Sequence, residues 1–253
     1  MSLALYPSLK IGDTERKLRE SISRITTGLN LLGGSGGAFA QSVAIKAEAE
    51  SHNQVVSTSK VAQDFLLTAE AALVELAALA TRLREIGVAD TSSTNSASDT
   101  AALNAEAIAV SDSIDDIVSS LQFNNINVLG TGSVTKTTPK DIDGGLTTIK
   151  TTDGIAATNI SDATNSNTTA DTALASITTS MGHVSGHLAS LQAFGDVSSS
   201  VSAIEMQSAA RLMDTNFAVE TAKLLKNSLI SSYAHAMVSE ANDIERKKLI
   251  VLA

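Results

Sequence analysis

Apolar residues recur at alternating steps of four and three near both ends of this chain, and that spacing constrains its fold more than any other feature. Leu18, Ile22, Ile25, Leu29 and Leu32 follow it near the start, and Leu174, Ile177, Met181, Val184, Leu188 and Leu191 follow it later. A repeat of this kind lines its members along one stripe of an α-helix, and so narrow a stripe is buried only by another helix. Neither end can cover its stripe alone. Aromatics, which fill wide cores, make up 3% of the 253 residues, and Trp is absent. The apolar share is carried by Ala, Leu, Ile and Val, the filling of thin seams between helices, so rods and bundles are favoured over a globule.

The same template divides the chain. A first helix is expected from about Asp13 to Leu32, with Asp13 or Thr14 as N-cap, and the run Gly33 to Gly37 ends it. A second covers Ala38 to Ile86 with Phe65, Ala69, Ala72, Leu76, Leu79, Leu83 and Ile86 in register, and a third begins near Thr100 and stops at Asn124-Asn125. A fourth opens near Ala170 and slips register after Leu191 into Phe194, Val197, Val201 and Ile204, a stutter. Asp214-Thr215-Asn216 reads as a break and new N-cap before a last helix from Phe217 to about Asn242. Between these, residues 131–169 are Ser/Thr-rich with Pro139, Gly144-Gly145 and short alternating pieces; one hairpin plus loop is expected, with a disordered linker as the alternative. The expected fold is therefore mainly α: an elongated helical bundle with a coiled-coil terminal rod and a small β-hairpin insertion. Its parts are an N-terminal rod helix (1–37), bundle helices (38–130), the hairpin region (131–169), a C-terminal bundle helix (170–213) and a C-terminal rod helix (214–253).

A net charge of −9 argues against nucleic-acid binding, which needs a basic face. No stretch approaches the ~18–20 continuous apolar residues of a membrane span, so no membrane insertion is expected. The opening Met1 to Pro7 lacks the basic and long apolar parts of a Sec signal peptide. His183 and His187 stand four apart, a zinc-ligand spacing, but nothing between them supplies a base and no third ligand is evident; surface histidines are the better reading. Gly33 to Gly37 follows a helix and lacks the Gly-Lys-Ser/Thr ending of a phosphate loop, which leaves a hinge. No catalytic constellation is present, so no enzyme, cofactor or metal is expected.

Several ordered motifs carry a resemblance. Arg24-Ile25-Thr26-Thr27-Gly28-Leu29 resembles the R-L-S-S-G-L signature of bacterial flagellins, and Thr68 to Leu73 resembles their T-A-E-G-A-L run. Thr81 to Ile86 is similar to Q-R-M-R-E-L, and Phe123-Asn124-Asn125 with Val128-Leu129 to F-N-G…L-L. Ser208 to Arg211, Asp214 and Glu220 to Leu224 resemble S-A-A-R…D…E-T-A-x-L. The D-D-A-A-G-L-A-I-S stretch of the family is replaced by Gly33 to Val43.

This resemblance to bacterial flagellin implies a minimal subunit without large outer domains. Such a subunit self-assembles into the flagellar filament for motility by pairing its terminal helices. The implied assembly interface is Leu18, Ile22, Ile25, Leu29, Leu32, Phe217, Leu224 and Leu225. Implied partners are further copies in a helical homo-polymer, an export chaperone, the type III export apparatus, and hook-associated and cap proteins. The protein would then be extracellular, in the flagellum, exported without a cleaved signal peptide. An innate-receptor contact is implied at Arg82, Glu85 and Glu106. The alternatives are a hook–filament junction (hook-associated) protein and a secreted helical adhesin.

Overall fold

The computed structural model describes residues 5–29 and 36–252. It is mainly α, with helices α1 (Leu5–Thr27), α2 (Gly36–Asp90), α3 (Ala97–Ser120), α4 (Ser166–Met213) and α5 (Phe217–Leu252). Between α3 and α4 lie two antiparallel hairpins, β1 (Gln122–Phe123) with β2 (Ile126–Asn127), and β3 (Val134–Pro139) with β4 (Leu146–Thr152). The expected hairpin is the second of these. The chain divides into two compact units, residues 50–202 and residues 1–49 with 203–253.

The 50–202 unit holds the principal core. Along α2 the buried line is Ala62, Leu66, Ala69, Leu73, Leu76, Ala80 and Leu83, with Phe65 and Ile86 widening it and Ala72 and Leu79 packed at its flank. Ala107, Ile114 and Val118 face this core from α3, and Ala170, Ala173, Ile177, Val184 and Leu191 from α4. Small residues let the helices approach closely. At Gly87 an added Cβ would lie 2.4 Å from the Asn167 backbone nitrogen, so the end of α2 touches the first turn of α4. Helix α3 starts earlier than its apolar pattern suggests, because Ser96 and Asp99 form a capping box: Ser96 N–H donates to the Asp99 carboxylate (2.9 Å) and Asp99 N–H to Ser96 Oγ (3.2 Å).

Asn124-Asn125 does more than end α3. Both have positive φ, 50° and 61°, and together they make the two-residue turn of the β1–β2 hairpin, as Asn-rich type I′ turns do. The β3–β4 turn is closed by the Asp141 carboxylate, which accepts the N–H groups of Asp143 (3.1 Å) and Gly145 (2.6 Å). Residues 153–165 form no strand or helix, yet they are not an unattached linker. Side chains of α3 accept four of their N–H groups. Asp115 accepts the N–H of Thr158 (2.9 Å) and of Asn159 (3.2 Å), Ser111 Oγ that of Ile160 (3.3 Å), and Asn104 that of Ala163 (2.7 Å).

The stutter expected in α4 is absent. Val197 and Ile204 point outward, each 63% exposed, while Ser198 and Ser202 are buried and the seven-residue register of Val184 and Leu191 continues. Serine takes the seam positions because its size permits close approach, and Ser202 Oγ finds a partner in Asn53 Oδ1 at 3.0 Å. Reading apolar residues as core misplaced this stretch.

In the other unit, α1 and α5 run antiparallel. α1 continues back through Gly12 to Leu5 instead of starting at Asp13. Asp13 is no cap: its carboxylate pairs with Arg16 and Lys17 one turn on, both at 2.8 Å, and these bonds lower its pKa to about 2. The helix ends at Thr27, five residues before its apolar spacing does. Gly28 adopts φ +71° and returns its N–H to Arg24 O (2.9 Å), the left-handed stop that glycine allows. Leu32 and Gly33 to Ser35 lie outside the described residues.

Candidate functional site

Sequence spacing offers one apolar stripe for the terminal helices, but α5 carries two. Its first stripe faces α1 and repeats every seven residues: Glu220, Leu224, Asn227, Ser231, Ala234, Val238, Ala241 and Glu245 are the buried or half-buried positions. The opposing positions are Ile11, Thr14, Leu18, Ser21 and Ile25 of α1 and Gly28 just after it. Much of this seam is small or polar. Thr14 and Ser21 are buried, and Thr14 Oγ1 donates back to Lys10 O at 2.8 Å.

At one end the seam is locked by a buried carboxylate. Glu220 is 4% exposed and takes hydrogen bonds from Ser21 Oγ (2.9 Å), Arg24 Nη1 (3.0 Å) and Lys223 Nζ (3.1 Å). Burial pushes its pKa up, but the Ser21 and Lys223 bonds and the Arg24 charge outweigh burial, so it lies below the ordinary value. Next to this lock, Leu29 forms an antiparallel bridge with Asp214, and Thr215 N–H donates to Gly28 O (3.0 Å). Asn216 then caps α5, its side chain accepting Val219 N–H at 3.2 Å. The motif residues Arg24, Gly28, Asp214 and Glu220 thus meet at one junction. Their separation in sequence, close to two hundred residues for Arg24 and Glu220, hides this from any local reading.

The second stripe of α5 faces away from α1. Val219, Leu229, Ile230, Tyr233, Met237 and Ile244 are all exposed, with Tyr233 at 72% and Met237 at 63%. A single helix rarely leaves so many large apolar side chains bare along one side unless something else covers them. Of the interface residues expected from sequence, Leu18, Ile25 and Leu224 sit in the α1–α5 seam, and Leu29 lies at its end. Ile22, Phe217 and Leu225 are outward-facing at 46%, 54% and 58% exposure. Ile230, Tyr233, Met237 and Ile244 keep the four-and-three alternation, but Lys223, Lys226 and Glu240 stand at the other positions of that register and mask the outer stripe in the sequence.

In the other unit, Arg82, Glu85 and Glu106 come together on an exposed surface of α2 and α3. Arg82 Nε donates to Glu106 at 2.7 Å and Nη1 to Glu85 at 3.1 Å, and these bonds, Glu106 first, raise the Arg82 pKa. His183 Nε2 pairs with Asp153 at 2.7 Å, and its ring stacks on His187, centroids 6.5 Å apart. Burial, helped by the charges of His183 and Lys150, lowers the His187 pKa. Among the described residues no group of three or more His, Cys, Asp or Glu is placed to hold a metal ion, and no helix is long and apolar enough to cross a membrane.

Comparison with known proteins places this architecture. The family described as the bacterial flagellin N-terminal helical region matches residues 2–133. Flagellin FlaB1 of Treponema pallidum is 23% identical in an alignment that takes in 98% of this chain and 97% of that protein. A flagellin of Escherichia coli is 32% identical over 51% of this chain and 26% of its own length. A crystal structure of Bacillus cereus flagellin is 20% identical with a TM-score of 0.39, over 57% of this chain and 85% of that one. The family profile spans more than half of the sequence, and the chain belongs to the bacterial flagellin family, the structural subunits of the flagellar filament.

Proposed function

We propose that this chain polymerises into a filament through its terminal helices. The observation that carries the reading is the two-sided character of α5. One stripe pairs with α1 inside the subunit, and the other, Val219 to Ile244, remains bare. Ile22 on α1 adds to the uncovered surface, as do Phe217 and Leu225. Burying a Leu, Ile or Met side chain contributes about 1.5–3 kcal/mol, so a stripe of this length supplies enough to drive association. Contacts between unlike faces of successive copies extend as an open helix when the rotation from copy to copy does not close a ring. Pairing within the subunit and packing between subunits then reinforce one another, because isolated amphipathic helices are marginal in water.

The same reading gives α5 a second occupant before assembly. An export chaperone that covers the outer stripe keeps it from premature association, and the polymer replaces it after passage through the type III apparatus. Filament-end proteins, the hook-associated and cap proteins, would meet the same helices. The Arg82, Glu85 and Glu106 cluster is the surface we assign to an innate receptor. Its arginine donors are already engaged by the two glutamates, so a receptor must exchange partners with them.

Seeding purified protein with filament fragments and following it by electron microscopy tests the reading. Long fibres are expected from the full chain and none after removal of residues 217–253. A chain that stays monomeric on seeds, or a truncated form that still builds fibres, overturns it.

A further inference from the structure

A cavity of about 320 Å³ opens between α2, the β1–β2 turn and the β3–β4 hairpin. Val61, Ala62, Phe65, Phe123, Ile126 and Ile149 give it apolar walls. Phe65 and Phe123 meet edge to face, with centroids 6.1 Å apart and planes at 76°. Val61 and Ile126 are exposed, so part of this apolar lining is bare.

Three polar residues, Lys136, Thr137 and Thr138, join the lining from β3. Lys136 and Thr138 are two apart on the strand and therefore project to one side of the hairpin, the side on which Ile149, opposite Lys136, enters the core. Thr138 is 5% exposed, and its Oγ1 is buried without a hydrogen-bond partner. Leaving such a hydroxyl unsatisfied costs stability that a ligand acceptor would recover. Lys136 forms no ion pair among the described residues, although Lys150 on the neighbouring strand is engaged by Asp153. An apolar recess with one orphaned donor and one uncommitted ammonium is the composition of a small-ligand site, and its volume falls in the range such sites occupy.

We propose that this cavity binds a small amphiphilic carboxylate, a saturated chain of about six to ten carbons given the volume. The tail lies against Phe65, Phe123 and Ile149, displacing water from Val61 and Ile126. The carboxylate accepts from the Thr138 hydroxyl and pairs with the Lys136 ammonium, a charge-assisted contact. An alcohol of the same length satisfies Thr138 alone, and an alkylammonium is repelled by Lys136. The site lies wholly within residues 58–149 and uses no residue of α1 or α5, so it does not rest on the polymerisation reading.

Calorimetric titration of the full chain with octanoate, octanol and octylammonium tests this. Saturable one-to-one binding of octanoate is expected, about tenfold tighter than octanol, a difference of roughly 1.4 kcal/mol. Octylammonium should bind more weakly still. Lys136→Glu should erase the preference for octanoate, and Thr138→Val should weaken octanoate binding about three- to tenfold while Thr138→Ser keeps it. Thermal unfolding followed by circular dichroism separates loss of binding from loss of fold. Octanol binding as tightly as octanoate, or octanoate binding unchanged in Lys136→Glu, overturns the carboxylate assignment. No saturable heat up to about 10 mM octanoate, weaker than any specific site of this size, overturns the site itself.

Discussion

Replacing Glu220 with alanine removes the acceptor that Ser21, Arg24 and Lys223 share. Deleting one partner of a buried ion pair costs about 3–5 kcal/mol when the other is left uncompensated. Arg24 is only nearly buried, with its side chain 11% exposed, and keeps Glu20 at 3.9 Å, so a loss of about 2–3 kcal/mol is expected here. The rest of the seam has little to set against that. Leu18, Ile25, Leu224 and Val238 are half-buried, and Thr14, Ser21, Asn227 and Ser231 contribute small polar side chains. Hydrogen exchange in the peptide 217–252 reads the effect directly. A loss of 2–3 kcal/mol corresponds to protection lower by roughly 30- to 150-fold, while residues 62–121, in the separate core, should be unchanged. Glu220→Gln, which retains an uncharged acceptor, should fall between. A double-mutant cycle with Ser21→Ala should show coupling above about 0.5 kcal/mol. Protection in Glu220→Ala within a factor of two of the parent would refute the view that this carboxylate holds the helices in register.

Acid should do reversibly what that substitution does permanently. The folded-state pKa of Glu220 is lowered, so its contribution is complete above the ordinary value of 4.5 and is lost as pH falls below that value through the lowered one; circular dichroism and exchange across this window should show the α1–α5 pair separating there. Gly87→Ala gains about 1 kcal/mol of helix propensity but drives a methyl into the Asn167 backbone and Ser166 Oγ. Overpacking of about 1–3 kcal/mol should win, lowering the denaturation midpoint. Asp115→Ala strips the acceptor from the Thr158 and Asn159 N–H groups and should cost about 2–3 kcal/mol, with exchange rising at those two amides. Tyr233→Ser with Met237→Ser should abolish seeded polymerisation, yet change monomer unfolding by no more than about 0.5 kcal/mol, since both side chains already face water.

How much of this was legible depended on which residues carried each seam. Where large apolar residues filled it, as with Leu76 and Leu83 in α2 or Ile177 and Leu191 in α4, spacing located the helix and its inner face. Where serine, threonine or glycine filled it, spacing pointed elsewhere. Ser198 and Ser202 are core positions that look like surface, and the neighbouring Val197 and Ile204 are surface positions that look like core. The end of α1 was set by the backbone freedom of Gly28, one residue that outweighed the apolar pattern running on to Leu32. The Glu220 lock was invisible for a different reason, since only the folded chain brings residues so distant in sequence together. Ionic partners carry no periodicity.

The segment 153–165 has a consequence for the order in which the chain acquires its shape. Its amides have no ladder or helix of their own; Ile155 N–H reaches Gly130 O, and those of Thr158, Asn159, Ile160 and Ala163 borrow acceptors from Asn104, Ser111 and Asp115 on α3. Its stretch from Thr158 to Ala163 therefore docks only once α3 exists, whereas α2 and α3 are sequence neighbours and can pair early at small loop-closure cost. The first turn of α4, which must slot against Gly87, comes after that segment in the chain and closes the unit last. Substitutions at Asp115 should accordingly speed unfolding more than they slow refolding, while substitutions at Leu76 or Ile114 should act on the refolding rate.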